Sequence, residues 1–332
     1  MASRESTARF INRASSGVDR VPAGNAHPPF DDARRMPRAT EREPLGAWVD
    51  RIHRGDAKET LARLPDASVH LAITSPPYNV RIPYRGYADD RPLEEYLAWL
   101  KEVWAELHRV LVVGGRFVLN VAPTSIKEFR PIHHDLARDL RDLGYIMRTE
   151  ILWYKQTMGR RTAWGSWRSP SNPHIVPSWE YVLVFSKGQW RLEGDRAEID
   201  ISAKEFETFS DGFWAIPPER RRHGHPAPFP EELIERLVKF YSYRGNVVLD
   251  MFGGTGTVAA VARRLGRHYV YIDASAEYCR DAAARVAAAE PPPGTMIPAP
   301  DVGRPTPEAP RTDRAGPRRP PGPRAAPGRS DG

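Results

Sequence analysis

Six strand-like runs dense in apolar residues, at 69–73, 116–121, 145–154, 179–187, 246–249 and 268–272, are set among stretches whose apolar residues recur at helical spacing. The run Tyr181-Val182-Leu183-Val184-Phe185 is apolar at every position. Successive side chains of a strand point to opposite faces, so such a run can be buried only in a sheet covered on both sides. Residues 92–112 carry Leu93, Tyr96, Leu97, Leu100, Val103, Trp104 and Leu107 and run into Gly114-Gly115; residues 132–143, 231–243 and 258–265 read as further helices. The expected architecture is α/β, a mostly parallel sheet with helices on both faces.

Composition says where that sheet lies. Of 33 prolines, 13 fall in residues 290–332, among Arg, Gly and Ala and without an aromatic residue, and residues 1–43 are polar with eight arginines. Neither end can bury a core, so a disordered N-terminal tail over 1–43 and a disordered C-terminal tail over 289–332 are expected to flank one folded domain over 44–288. Two stretches inside it, about 155–178 and 189–230, lack clean periodicity and are expected to be insertions. The formal net charge of +7 and pI of about 9.6 suit a polyanionic partner without identifying one. One cysteine, Cys279, forms no intramolecular disulfide and no zinc cluster, which suits a reducing cytoplasm. It reads as a packing residue, and no metal site is expected. No 18-residue apolar run and no signal-peptide pattern points to a membrane or to secretion.

Two strands end in sequences that carry chemistry. The first leads into Thr74-Ser75-Pro76-Pro77-Tyr78-Asn79. A Ser hydroxyl and a backbone carbonyl held rigid by two prolines both accept hydrogen bonds from an exocyclic NH₂, and a Tyr ring covers the flat face of a base. Two prolines after a strand also make an ordinary turn. The functional reading gains from Asp250-Met251-Phe252-Gly253-Gly254-Thr255-Gly256-Thr257, a glycine-rich loop that follows the strand at 246–249 and opens a helix, as a nucleotide-type cofactor site requires. Asp273 closes the next strand 20 residues after Gly253, where an acidic residue holds ribose hydroxyls in Rossmann-like units. A solvated strand-end aspartate is the bland alternative. A nicotinamide dehydrogenase is disfavoured because its glycine loop normally opens the fold, and a P-loop is excluded because no Gly-Lys-Ser/Thr follows the glycines.

Together these residues resemble the S-adenosylmethionine-dependent DNA amino-methyltransferases in the permuted arrangement called the β group, found in restriction-modification systems. There the catalytic motif comes first, a recognition region second and the cofactor loop last. The resemblance covers most of residues 45–285 and implies a Rossmann-like methyltransferase fold with circularly permuted motif order. By this resemblance Ser75, Pro76, Pro77 and Tyr78 are catalytic. Asp56 meets the adenine of S-adenosyl-L-methionine, and Asp250, Phe252, Gly253, Gly254, Gly256, Thr257 and Asp273 complete the cofactor site. The segment from His225 to Pro230 resembles the family's cradle for the methionine end of the cofactor. Met251 stands where proline is common, and the segment around Ala227 lacks the Thr and Lys of many relatives.

Ser at the first catalytic position usually accompanies methylation of cytosine N4, whereas Asp or Asn usually accompanies adenine N6, so Ser75 favours cytosine. Adenine N6, an RNA substrate and an inactive DNA-binding relative are the rival readings, the last disfavoured by the intact motifs. The partner implied is double-stranded DNA. A cognate restriction endonuclease fits such a system, a monomer and a homodimer are equally open, and the location implied is the bacterial cytoplasm, at the nucleoid through DNA. Lys155, Arg160, Arg161, Trp164, Trp167 and Arg168 interleave cations with aromatics, as phosphate contact and base readout require; the aromatics could equally pin the loop to the domain while the arginines are solvated. Glu180 either orients the catalytic loop or is a rim charge.

Overall fold

The computed structural model describes residues 42–79, 91–122, 130–156, 165–220 and 227–291. Nearly all of both expected tails, and Arg160, Arg161, Trp164, His225 and Pro226, therefore lie outside the described residues. Eight strands among those described form one sheet: β1 (Arg51–Arg54), β2 (Val69–Thr74), β3 (Leu111–Val121), β4 (Tyr145–Tyr154), β5 (Trp179–Lys187), β6 (Phe213–Ala215), β7 (Val247–Asp250) and β8 (His268–Asp273). Their order across the sheet is β1-β8-β7-β2-β3-β5-β4-β6. β5 is antiparallel to both β3 and β4, and the other neighbours run parallel.

Helices cover both faces. On one face α1 (Ala57–Arg63), α2 (Leu93–Val110) and α3 (Ile132–Asp142) bury Leu61, Trp104, Leu107 and Leu136 against Phe117, Leu119 and Leu249. On the other, α4 (Ala203–Phe209), α5 (Glu231–Tyr241), α6 (Thr257–Arg264) and α7 (Ala276–Ala287) pack Phe209, Leu237, Val261 and Val286 against a layer that includes Val118, Val184 and Val248. The chain leaves β2 towards β3 on one side and β7 towards β8 on the other. The reversal between β2 and β7 opens the crevice at the strands' carboxyl ends where ligands bind in open α/β sheets.

Two local expectations are corrected, and one strand had none. The helix expected over 92–112 stops at Val110, and Leu111, Val112 and Val113 begin β3, which shifts register against β2 before Arg116. The polar sequence Arg51-Ile52-His53-Arg54 forms β1, an edge strand with no apolar run to announce it. The stretch 189–230, expected to lack regular structure, contains α4 and β6. β6 extends the sheet from β4, with Trp214 buried in the core. α4 starts at a capping box in which Ser202 accepts from the Glu205 N–H and the Glu205 carboxylate accepts from the Ser202 N–H. Ser202→Ala is expected to cost about 1 kcal/mol of stability, read from the midpoint of urea unfolding.

Candidate functional site

The loop after β2 is braced from three sides. Thr74 Oγ1 donates to Asp250 Oδ1 at 2.6 Å, which ties the end of β2 to the end of β7. The Pro77 carbonyl accepts from the buried Tyr96 hydroxyl at 2.6 Å. Asn79 takes a left-handed φ of 54° and its Nδ2 donates to the Arg91 carbonyl at 2.7 Å, a conformation that asparagine tolerates better than most residues.

Ser75 and Tyr78 face a buried polar cluster. Ser75 Oγ donates to Tyr78 Oη at 2.7 Å, and Tyr78 Oη donates to Glu180 Oε2 at 3.3 Å. Asn120 Nδ2 donates to Tyr78 Oη at 3.1 Å and to Glu180 Oε2 at 2.7 Å. Glu180 is 5% exposed and its other oxygen is ion-paired with Lys155, so of its two sequence readings the rim charge is ruled out. Lys155, expected as a DNA-facing cation, is partly exposed, with its ammonium held by Glu180 and 4.9 Å from the centre of the Trp153 ring. A carboxylate in a place this dry needs such a partner.

The glycine-rich loop lies beside this cluster. Asp250 Oδ1 accepts from the Phe252 N–H at 3.1 Å. Asp273 Oδ2 accepts from the Gly254 N–H at 2.9 Å and Oδ1 from the Ser275 N–H at 2.7 Å. Asp273 is thus a brace for the loop, and each of its oxygens keeps a lone pair for a further donor. Asp56 caps α1, accepting from the Lys58 and Glu59 N–H groups, while the Gly55 N–H donates to the Asp273 carbonyl at 3.0 Å. Phe252 meets the Trp99 ring at 5.6 Å.

These groups share one cleft of about 270 Å³, lined by Asp56, Ser75, Pro77, Tyr78, Asp250, Phe252, Gly253, Gly254, Thr257 and Asp273. Of the expected catalytic and cofactor residues only Pro76 and Gly256 lie off its wall. Ala227, Pro228 and Phe229, at the described end of the expected methionine cradle, also line it. Sequence reasoning missed the wall residues Trp99 and Tyr278 and, behind the wall, Asn120. A lone amide within the apolar run Phe117–Val121 was the available sign of the last.

Burial pushes the Asp250 carboxyl up from 3.8 to about 7, against the lowering effect of its bonds from Thr74 and Phe252. The folded protein therefore keeps a proton that the unfolded chain loses between those values. That contribution to stability is fully present below 3.8 and is lost as pH rises through about 7. Asp250→Asn is expected to remove the loss, so the melting temperatures of wild type and variant should separate between pH 4 and pH 7.5, the wild type falling further.

The loop from β4 to β5 leaves and re-enters the sheet at this same edge. Within it, residues 165–173 are closed by a Gly165–Pro173 bridge, by a bond from the Ser166 N–H to the Asn172 carbonyl at 2.9 Å and by one from the Asn172 N–H to Ser166 Oγ at 2.8 Å. Trp167 is 66% exposed, and the neighbouring Arg168 is also exposed. Among the described residues no cluster of three or more His, Cys, Asp or Glu could hold a metal, and no helix is long and apolar enough to cross a membrane.

A family profile described as DNA methylase matches residues 69–284. The type II methyltransferase M.MjaVI of Methanocaldococcus jannaschii is 36% identical over 160 residues, 48% of this chain and 82% of the relative. M.BglII of Bacillus subtilis, also a type II methyltransferase, is 29% identical over 285 residues, 79% of this chain and 75% of the relative. A protein of Thermus thermophilus proposed to be a DNA modification methylase has been solved in complex with S-adenosyl-L-methionine. It matches with a TM-score of 0.61 and 34% identity, over 74% of this chain and 95% of that one. The cytosine-N4-specific PvuII DNA methyltransferase, 20% identical with a TM-score of 0.56 over 70% of this chain and 84% of its own, shares the fold.

Proposed function

The chain belongs to the permuted β group of S-adenosylmethionine-dependent DNA methylases, and on that premise we propose that it methylates the N4 amine of a cytosine turned out of duplex DNA at a specific sequence. The observation that carries the reading is the single cleft in which Ser75 and Tyr78 meet the glycine-rich loop. Ser rather than Asp or Asn as the first residue of the catalytic run supports cytosine.

The residues present fit S-adenosyl-L-methionine. Asp273 and Asp56 offer carboxylate lone pairs to ribose hydroxyls and to the adenine amine, Phe252 and Trp99 supply an aromatic wall, and Gly253 and Gly254 let the loop backbone come close. When bound, the cofactor supplies an electrophilic methyl group on sulfur. The chain has to present an amine whose lone pair is otherwise delocalised into the base. Turning the base out costs a few kcal/mol, and stacking on the Tyr78 ring returns about 1–3 kcal/mol. Ser75 Oγ and the Pro76 carbonyl accept the amine's hydrogens, favour a pyramidal nitrogen and stabilise the positive charge that develops on it. Trp167 and Arg168, exposed on the loop at the same edge, are proposed DNA contacts.

The test is transfer of tritiated methyl groups from S-adenosyl-L-methionine to duplex DNA, with RNA of matched sequence as competitor. Label in DNA that RNA does not suppress is expected. Label only in RNA, or cofactor binding without transfer, would overturn the reading.

A further inference from the structure

The buried cluster beneath Ser75 fixes which way its hydroxyl points. The Asn120 amide is oriented by Glu180: a carboxylate only accepts, so the Asn120 group 2.7 Å from it is the NH₂. That same NH₂ donates to Tyr78 Oη and cannot take the tyrosine proton. The single Tyr78 hydrogen has Ser75 Oγ and the Glu180 carboxylate as acceptors within reach, and a charged acceptor is the stronger. With that proton on Glu180's side, Ser75 donates to Tyr78, and its oxygen, which accepts from the Asn120 NH₂ at 3.5 Å, keeps a second lone pair for the target amine.

Resting on the proposed amine methylation, we propose that Glu180, held by Lys155 and Asn120, is a positioning residue that obliges Ser75 to act as a hydrogen-bond acceptor for the target amine. Without the carboxylate the Tyr78 proton turns to Ser75, the Ser75 proton turns outwards, and it meets the amine hydrogens head-on. The same chain gives the spent proton a route. As the nitrogen lone pair forms the N–CH₃ bond and the S–CH₃ bond breaks, one N–H proton passes to Ser75 Oγ, the Ser75 proton to Tyr78 Oη and the Tyr78 proton to Glu180. The products are a neutral methylamino base and a protonated Glu180, which releases its proton to water on the side of the partly exposed Lys155. No other reactant is needed. The signal was hidden in the sequence because Glu180 and Asn120 are 60 residues apart and meet only through the antiparallel pairing of β3 with β5.

Single-turnover methylation at saturating DNA and cofactor tests this. Glu180→Gln keeps the shape and removes the obligatory acceptor; its rate is expected to fall about 100-fold while the cofactor Kd by calorimetry stays within about twofold. Glu180→Asp, which keeps the charge, should recover part of the loss. Tyr78→Phe breaks the chain by one oxygen and should slow transfer to a similar degree, and adding Glu180→Gln to it should change the rate by no more than about twofold, because the two act as a unit. A Glu180→Gln enzyme at the wild-type rate, or one that loses the same factor again in the Tyr78→Phe background, would overturn the proposal. So would a loss of rate matched by an equal loss of cofactor affinity and melting temperature, which would mean that Glu180 only supports the fold. A wild type that transfers no methyl group would overturn the parent function and this inference together, whereas an active wild type beside a fully active Glu180→Gln overturns this inference alone.

Discussion

Ser75→Ala is expected to slow methyl transfer by about 10²- to 10³-fold, the effect of removing one preorganised group aimed at charge that develops in the transition state. The change deletes one oxygen. Tyr78 Oη keeps its bonds to Asn120 and Glu180, the Pro77 carbonyl keeps Tyr96, and Thr74 still ties β2 to Asp250. The loop should therefore hold its shape. The proposed cofactor residues at the ends of β7 and β8 and at the start of α1 are untouched, so the dissociation constant of S-adenosyl-L-methionine should stay within about twofold of wild type. Single-turnover kinetics and calorimetry on one preparation separate the two quantities. A variant with full activity would remove Ser75 from the chemistry.

Gly256→Ala is expected to be strongly destabilising. Gly256 caps α6 with a left-handed φ of 77°, a conformation that costs an L-residue about 1–2 kcal/mol. Its added Cβ would stand 2.7 Å from the Cβ and 2.9 Å from the Cα of Ala282, and Ala282 is fully buried in α7. Overpacking a closed contact adds about 1–3 kcal/mol, so a total loss of about 2–5 kcal/mol is expected. Gly46→Ala is the natural control. No atom lies within 4 Å of its added Cβ, and it should change stability by no more than about 0.5 kcal/mol. Urea unfolding of the two variants beside wild type gives both values, and equal midpoints would show that α6 and α7 part easily.

The sheet was legible because its central strands are apolar on both faces. Runs such as Leu71-Ala72-Ile73 and Val182 to Phe185 have few other homes in a folded chain. Among the elements missed are the strands at the sheet's margins and the short helices α1 and α4. β1 and β6 are edge strands with polar or exposed positions, and α4 is announced only by its Ser202–Glu205 capping box, which is a local signal without apolar periodicity. The site divides in the same way. Ser75, Tyr78, Asp250 and Asp273 stand at strand ends in short contiguous motifs, and the cleft gathers them. Asn120, Glu180 and Lys155 come from three strand ends or the turn beyond, and their meeting depends on strand order and register, which no local window of sequence contains. Lys155 was read as a DNA cation because it sits among arginines and tryptophans in sequence, whereas the charge it meets in space is Glu180.

The central claim is that one cleft holds a methyl donor and a flipped cytosine amine together. Its most direct test is mass spectrometry of nucleosides from the DNA of a methylation-free host that expresses this protein, with a Ser75→Ala strain alongside. N4-methylcytosine in the wild-type strain and its absence from the variant is the result this account predicts. N6-methyladenine would keep the cleft and its chemistry but contradict the role of Ser75 in choosing the base. DNA without either modified base, from cells that contain the folded protein, would contradict the account itself.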